Sequence, residues 1–241
     1  MAMAEEHTAA QFIARLEAHQ SDTEREKLQR HFKTGPGEYG AGDQFLGVRM
    51  GEVFALAKEF LAMEPGQIEA LLDSPVHEVR AGGVSILDKQ ARRKRTSEDR
   101  RKALYDLYLR RIDAINNWDL VDLGAPHVVG GYLFDKPREP LYALARSEDL
   151  WARRTAMMAT LYFVRQGDLD DMFALAEILR DDEHDLIHKP VGGLLREAGK
   201  HDRDRLLAFL DTHAAVMPRT MLRYAMEHLA PEVREHYRSL A

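Results

Sequence analysis

A chain of 241 residues with 45% hydrophobic content is long enough for one large or two small domains with a sizeable core. The absence of cysteine excludes disulfides and thiolate catalysis and points to a cytoplasmic home. The net charge of -6 argues mildly against a polyanionic partner, no apolar run is long enough for a membrane span, and the first residues lack the layout of a signal peptide.

The charge is unevenly spread. From Lys89 to Arg111, ten Lys or Arg stand against three acids, a local +7 that leaves -13 for the rest of the chain. An acidic body with one basic segment is the asymmetry of a protein that meets a polyanion from one side; a solvated helix and loop is the plainer alternative.

Residues 1–33 carry apolar stripes at Phe12, Ile13 and Leu16, then at Leu28 and Phe32, broken near Ser21-Asp22. This spacing predicts helix, with about the first 22 residues loosely attached. Residues 34–44 are glycine-rich, but they have no phosphate-loop spacing and no preceding strand, so a mobile connector is expected. After Phe45-Leu46-Gly47-Val48-Arg49 helical spacing returns at Val53, Leu56, Ala57 and Phe60, at Ile68, Leu71 and Leu72, and at Val84, Ile86 and Leu87. It continues through Tyr105, Leu107, Tyr108, Ile112 and Ile115. Breaks at Glu64-Pro65-Gly66, Ser74-Pro75 and Thr96-Ser97 separate the helices, with Ser74 and Ser97 as N-caps. No convincing strand pattern occurs, so the chain is expected to be all-α.

In Asn116-Asn117-Trp118-Asp119-Leu120-Val121-Asp122, Asn117 is the expected N-cap of a short helix, Trp118 to Gly124, ending before Pro126. Trp118 and Asp122 then share one face. An indole beside a carboxylate suits a cationic ligand; a core Trp with a solvated Asp is the alternative.

The helices recur. Ser74…Arg80, Ser147…Arg154 and Asp182…Lys189 share a start, a cation and an apolar run, and Asp119 to Arg154 and Arg154 to Lys189 are both 35 residues. Such a period predicts stacked helix pairs in a curved solenoid whose second helices line a concave surface. Trp118, Asp122, Arg154 and Lys189 fall on successive second helices, and residues 1–241 are expected to form a single α-solenoid domain. Trp151 reads as core, which directs Arg154 rather than Arg153 to the groove, for phosphate contact or for a local pair with Glu148 or Asp149. His184-Asp185-Leu186-Ile187-His188 has two-His metal spacing, but helix capping by Asp182 or Asp185 explains it more simply. Arg219 and Arg223 lie one turn apart, extending a basic groove or pairing with Glu227.

Five segments carry a resemblance: Tyr39-Gly40-Ala41-Gly42-Asp43-Gln44-Phe45-Leu46-Gly47-Val48-Arg49, Asn117-Trp118-Asp119-Leu120-Val121-Asp122, Leu150-Trp151-Ala152-Arg153-Arg154, Asp185-Leu186-Ile187-His188-Lys189 and Pro218-Arg219-Thr220-Met221-Leu222-Arg223-Tyr224-Ala225. In this order they resemble the AlkD-type DNA alkylation repair proteins over roughly residues 25 to 230. The resemblance implies HEAT-like helical repeats stacked into a curved α-solenoid with a concave basic groove. It also implies glycosylase activity on cationic N3- or N7-alkylated purines in duplex DNA, with no metal or cofactor and without base flipping. Asp122 matches the family's catalytic aspartate, Trp118 its groove tryptophan and Arg154 its groove arginine. The DNA-contacting cations expected on the two readings are Arg49, Arg92, Arg93, Lys94, Arg95, Lys189, Arg219 and Arg223, and the protein is expected to act as a monomer on duplex DNA with alkylated bases. One segment departs: after His-Lys the family typically runs Ala-x-Gly-Trp, whereas here Pro190-Val191-Gly192-Gly193 removes a second indole, with Pro190 expected in the first turn of its helix. A non-catalytic module binding damaged or branched DNA and a protein-interaction solenoid are the alternative functions.

Overall fold

The computed structural model describes residues 7–240, and these are helical with no strand; the single β pairing among them is a parallel bridge between Gln44 and Val76. Thr8 opens α1 (Ala9–Glu17) with a capping box in which Thr8 and Gln11 satisfy each other's backbone N–H. Ser21 caps α2 (Asp22–His31), which accounts for the break between the first two apolar stripes. There follow α3 (Met50–Glu59), α4 (Pro65–Leu72), α5 (His77–Arg92) and α6 (Glu98–Arg110). Ser97 caps α6 as expected, but Ser74 does not cap α5. Its hydroxyl accepts from Val76 two residues on, and the first N–H of α5, at His77, goes to the Gln44 carbonyl instead.

A 3-10 turn at Ile112–Ala114 leads into α7 (Trp118–Gly124), capped by Asn117. The α-helix ends at Gly124, before Pro126, as expected, but the chain stays helical. A π-helical turn, Ala125–Gly130, carries the chain past it into α8 (Gly131–Leu133), because the wider turn drops the i to i-4 pattern that proline breaks. Then come α9 (Glu139–Ala145), α10 (Leu150–Arg165), α11 (Asp170–Leu179), α12 (Asp185–Ala198), α13 (Arg203–His213), α14 (Arg219–Ala225) and α15 (Pro231–Leu240). Among the described residues no helix is long and apolar enough to cross a membrane.

The chain divides into two units, Met1–Val128 and Val129–Ala241. In the first, α3, α4 and α7 pack on α5, and α4 packs on α6. In the second, α9 pairs with α10 and α11 with α12, while α10, α12 and α14 stack in a row. Rows of second helices are what a period of about 35 residues produces.

The period also has a side-chain basis. Arg80 donates to the Ser74 carbonyl, Arg153 to the Ser147 carbonyl and His188 Nε2 to the Asp182 carbonyl, so in each repeat a side chain six residues on holds the carbonyl that precedes the helix. The equivalent positions are therefore Arg80, Arg153 and His188. The sequence pattern phased Arg154 and Lys189 with Arg80, one residue too late; each is turned a further 100° or so around its helix.

The N-terminal helix is anchored rather than loose. Phe12 and Leu16 are fully buried, worth about 1.5 to 3 kcal/mol each, and the Phe12 ring fills the space a side chain at Gly82 of α5 would need. The stretch after the glycine-rich loop is pinned as well. The buried Glu78 carboxylate accepts from the backbone N–H groups of Leu46, Gly47 and Val48, at 3.2, 2.8 and 3.2 Å. Gly47 sits at φ 84° with its Cα facing the Ser21 carbonyl, a place where no other residue fits. Glu78→Gln keeps the shape but removes the charge behind these bonds, and it is expected to cost about 2 kcal/mol in urea unfolding; an unchanged midpoint contradicts the pinning role.

Candidate functional site

Helix α7 carries Trp118 and Asp122 one turn apart, and both are half-buried. The indole is neither a plain core residue nor a free one. It meets the ring of His31 edge-on, with centroids 5.7 Å apart, and leans on Phe32 at 5.7 Å and 31°. Trp151 of α10, by contrast, is core, as its spacing predicts.

The backbone on both sides of Trp118 is tethered. Asn116 accepts from Arg80 at 3.1 Å, buried Asn117 accepts from the Trp118 N–H at 2.8 Å and reaches Asp43 at 3.4 Å, and Asp119 bonds His77 Nε2 at 2.9 Å. His77 is wholly buried on the first turn of α5, with Nδ1 facing Asp43 Oδ2 at 3.4 Å. Its ring is stacked on Phe45 at 5.1 Å and lies against Phe32 at 4.5 Å, the same Phe32 that supports the indole. Arg80 holds the other oxygen of Asp43 at 2.6 Å. Two buried cations and two partly buried carboxylates thus balance in one cluster.

Burial alone draws the His77 pKa down, but hydrogen bonds and charge from Asp119 and Asp43 outweigh it and push the value to about 9. Asp43 is drawn up by burial and, more strongly, held below the usual carboxylate range by His77 and Arg80. For His77 the raised folded value means that stabilisation is fully present below the ordinary histidine pKa near 6.5 and disappears as pH rises through about 9.

In the second unit Arg154 is 5% exposed, and its guanidinium donates to the Leu186 carbonyl of α12. Pro190 explains why that carbonyl is available. It lies inside α12 rather than in the first turn, and without an N–H it leaves Leu186 no i+4 partner. Arg154 is therefore a buried clamp between α10 and α12, not the exposed arm that a simple phosphate contact would use. One turn after Lys189, a Cβ at Gly193 would meet nothing within 4 Å, whereas one at Gly192 would strike the Met221 carbonyl and the Tyr224 side chain of α14. Gly192 lets two helices approach closely; Gly193 is an open place where a side chain is missing.

The surface cations sort into two kinds. In the basic segment Arg100 bonds Met63, Gln90 and Glu64; Arg101 bonds the carbonyls of Ala91, Arg93 and Thr96; and Arg110 and Arg111 pair with Glu69 and Asp73. Arg92 pairs with Asp88. Most of that charge is internal mortar, and among the described residues only the side chains of Arg93, Lys94 and Arg95 in it hold neither an acid, nor another side chain, nor a carbonyl. They stand at the C-terminal end of the sixteen-residue α5, some 24 Å of helix from His77, so they do not adjoin the start of α7. Arg49 is exposed and pairs with Glu24, and Lys189 pairs with Asp185. Exposed Arg219 and Arg223 pair with no carboxylate among the described residues, since Glu227 is taken by Arg196, and Arg223 lies over the Tyr224 ring.

His184 and His188 are spent on local structure. His184 is itself the N-cap of α12, accepting from Leu186 N–H, while Asp182 accepts from the His184 N–H. The sequence reading passed over His77, Glu78 and the pairing of Asp43. Their one signal was a polar run, His77-Glu78-Val79-Arg80, in a helix whose remainder is buried and mostly apolar. The expected outcome in thermal unfolding is a loss of stability on the order of 3 kcal/mol, spread between the ordinary histidine pKa of 6.5 and about 9 and abolished by His77→Gln; a wild-type protein flat through that range contradicts the charged cluster.

Comparison with known proteins identifies the family. The sequence pattern described as DNA alkylation repair enzyme matches residues 12–229. A structure described as a predicted DNA alkylation repair enzyme from Enterococcus faecalis superposes with a TM-score of 0.68 at 18% identity, over 88% of this chain and 98% of that one. AlkD2 from Streptococcus mutans gives a TM-score of 0.52 at 16% identity, over 92% of this chain and 99% of that one. No curated protein matches the chain in sequence. At these identities the two structures establish the likeness of fold. The family match spans most of the chain, so this protein belongs to the DNA alkylation repair enzyme family.

Proposed function

We propose that this protein is a DNA glycosylase that releases cationic N3- or N7-alkylated purines from duplex DNA without flipping the base. The observation that carries the reading is α7, which presents an indole and a carboxylate one turn apart from a helix start fixed by buried polar bonds. An alkylated purine is already a cationic leaving group, so breaking its glycosidic bond needs no general acid. The demand is on the sugar, which becomes oxocarbenium-like and is stabilised by a nearby carboxylate. Asp122 supplies that charge and orients the attacking water, and Trp118 offers apolar contact and a π face to the positive sugar. Arg154, buried and held on the Leu186 carbonyl, adds its charge to the potential that the phosphate backbone meets rather than an exposed contact. Arg49, Lys189, Arg219, Arg223 and the loop from Arg92 to Arg95 add long-range attraction to the duplex.

Gly193 favours a second reading, a module that binds damaged DNA without cleaving it, because the second indole that the resemblance leads one to expect at this open position is absent. A duplex carrying N-methylpurines, assayed for freed base, separates the two. The glycosylase reading predicts release by the wild type and at least a hundredfold slower release by Asp122→Asn, with folding and DNA affinity kept. Binding without release by the wild type assigns the non-catalytic role.

Two other variants test positions away from α7. Because the space at Gly193 is open, Gly193→Trp is expected to fold with unchanged or slightly higher stability and to speed base release; a clear loss of stability contradicts the open site. Lys94→Glu with Arg95→Glu is expected to weaken duplex binding and to flatten its dependence on salt by about one unit of slope for each phosphate that the loop ceases to neutralise. An unaltered slope removes that loop from the interface.

A further inference from the structure

Three elements meet at His77. The loop reaches it through Asp43 at 3.4 Å, α5 carries it, and α7 reaches it through Asp119 at 2.9 Å. Asn116 and Asn117 bind the same loop and helix, through Arg80 at 3.1 Å and Asp43 at 3.4 Å. Trp118 thus sits between tethered neighbours, and its ring rests on Phe32, which itself rests on the His77 ring. The other oxygen of Asp119, Oδ1, is buried without a hydrogen bond among the described residues, so His77 is the polar partner that sets the rotation of this side chain.

We propose that His77 is a positioning residue for the site on α7, fixing through Asp119 and Phe32 the angle at which Trp118 and Asp122 face the DNA. The proposal rests on the glycosylase reading for its catalytic consequence. A purely structural role would need only that the cluster be filled and neutral. A positioning role requires that Nε2–H be held on Asp119 while the charged ring stays beside Asp43, whose oxygen lies 3.4 Å from Nδ1 without hydrogen-bond geometry; only a ring protonated on both nitrogens meets both demands. A loosened α7 moves Trp118 and Asp122 together relative to the sugar, and misplacement of about an ångström in a reacting group costs about a hundredfold in rate.

The test compares the wild type with His77→Phe, which keeps the ring stack and removes both donors, and with Asp119→Asn, which weakens the tie from the α7 side. All are made in a Trp151→Phe background so that Trp118 is the sole indole. Single-turnover release from an N-methylpurine duplex, duplex affinity and Trp118 emission are read together. The expected result is release slowed by about tenfold to a hundredfold in both variants, affinity kept within about twofold, and a shifted Trp118 emission. Release and emission unchanged in a folded variant overturn the proposal, as do affinity and release falling in parallel. If His77→Phe does not fold, Asp119→Asn decides by the same criteria. If the wild type itself releases no base, the glycosylase reading fails separately, and the Trp118 emission alone judges whether His77 sets the indole.

Discussion

A positive ring buried between two carboxylates governs how α7 is presented. Burying the cations His77 and Arg80 is costly for each alone, and it is tolerable here because the partly buried Asp43 and Asp119 balance them and the cations point at oxygens. The arrangement has a directional consequence that an apolar core would lack. Bonds at 2.6 and 2.9 Å fix angles as well as distances, so the loop, α5 and the start of α7 hold one geometry. On this reading the cluster is kept for orientation, and Glu78 secures the neighbouring backbone in the same way.

The second unit solves a comparable problem with a proline. Pro190 withholds an N–H from the Leu186 carbonyl, and the guanidinium of Arg154 takes the vacated acceptor. A residue that weakens α12 on its own thereby fixes a cation. Two residues later, Gly192 brings α12 and α14 into close contact, and the adjacent Gly193 leaves open space. The segment Pro190-Val191-Gly192-Gly193 therefore reads as one built feature: the proline and first glycine have packing reasons, and the second glycine has none in the fold.

The helical class, the cap at Asn117, the face shared by Trp118 and Asp122 and the burial of Trp151 were legible because each rests on local spacing, which the chain states directly. The phase of the repeats was misread by one residue at Arg154 and Lys189, since adjacent cations look alike in a sequence and only the carbonyls of Ser74, Ser147 and Asp182 distinguish them. The basic segment promised more free charge than it delivers. Its arginines bond carbonyls and acids from Met63, Glu69 and Ala91, partners at separations that composition does not reveal. His77 was invisible for the same reason, because Asp43 and Asp119 lie 34 and 42 positions away and no motif links them.

The most direct test of the account is the protonation state of His77 by nitrogen-15 NMR of the imidazole in the intact protein at neutral pH. The account predicts a ring carrying protons on both nitrogens, with Nε2–H bonded to Asp119 and Nδ1–H facing Asp43, and persisting until the pH approaches about 9. A ring with one bare nitrogen at neutral pH would contradict it and leave the start of α7 without the clamp on which its role depends.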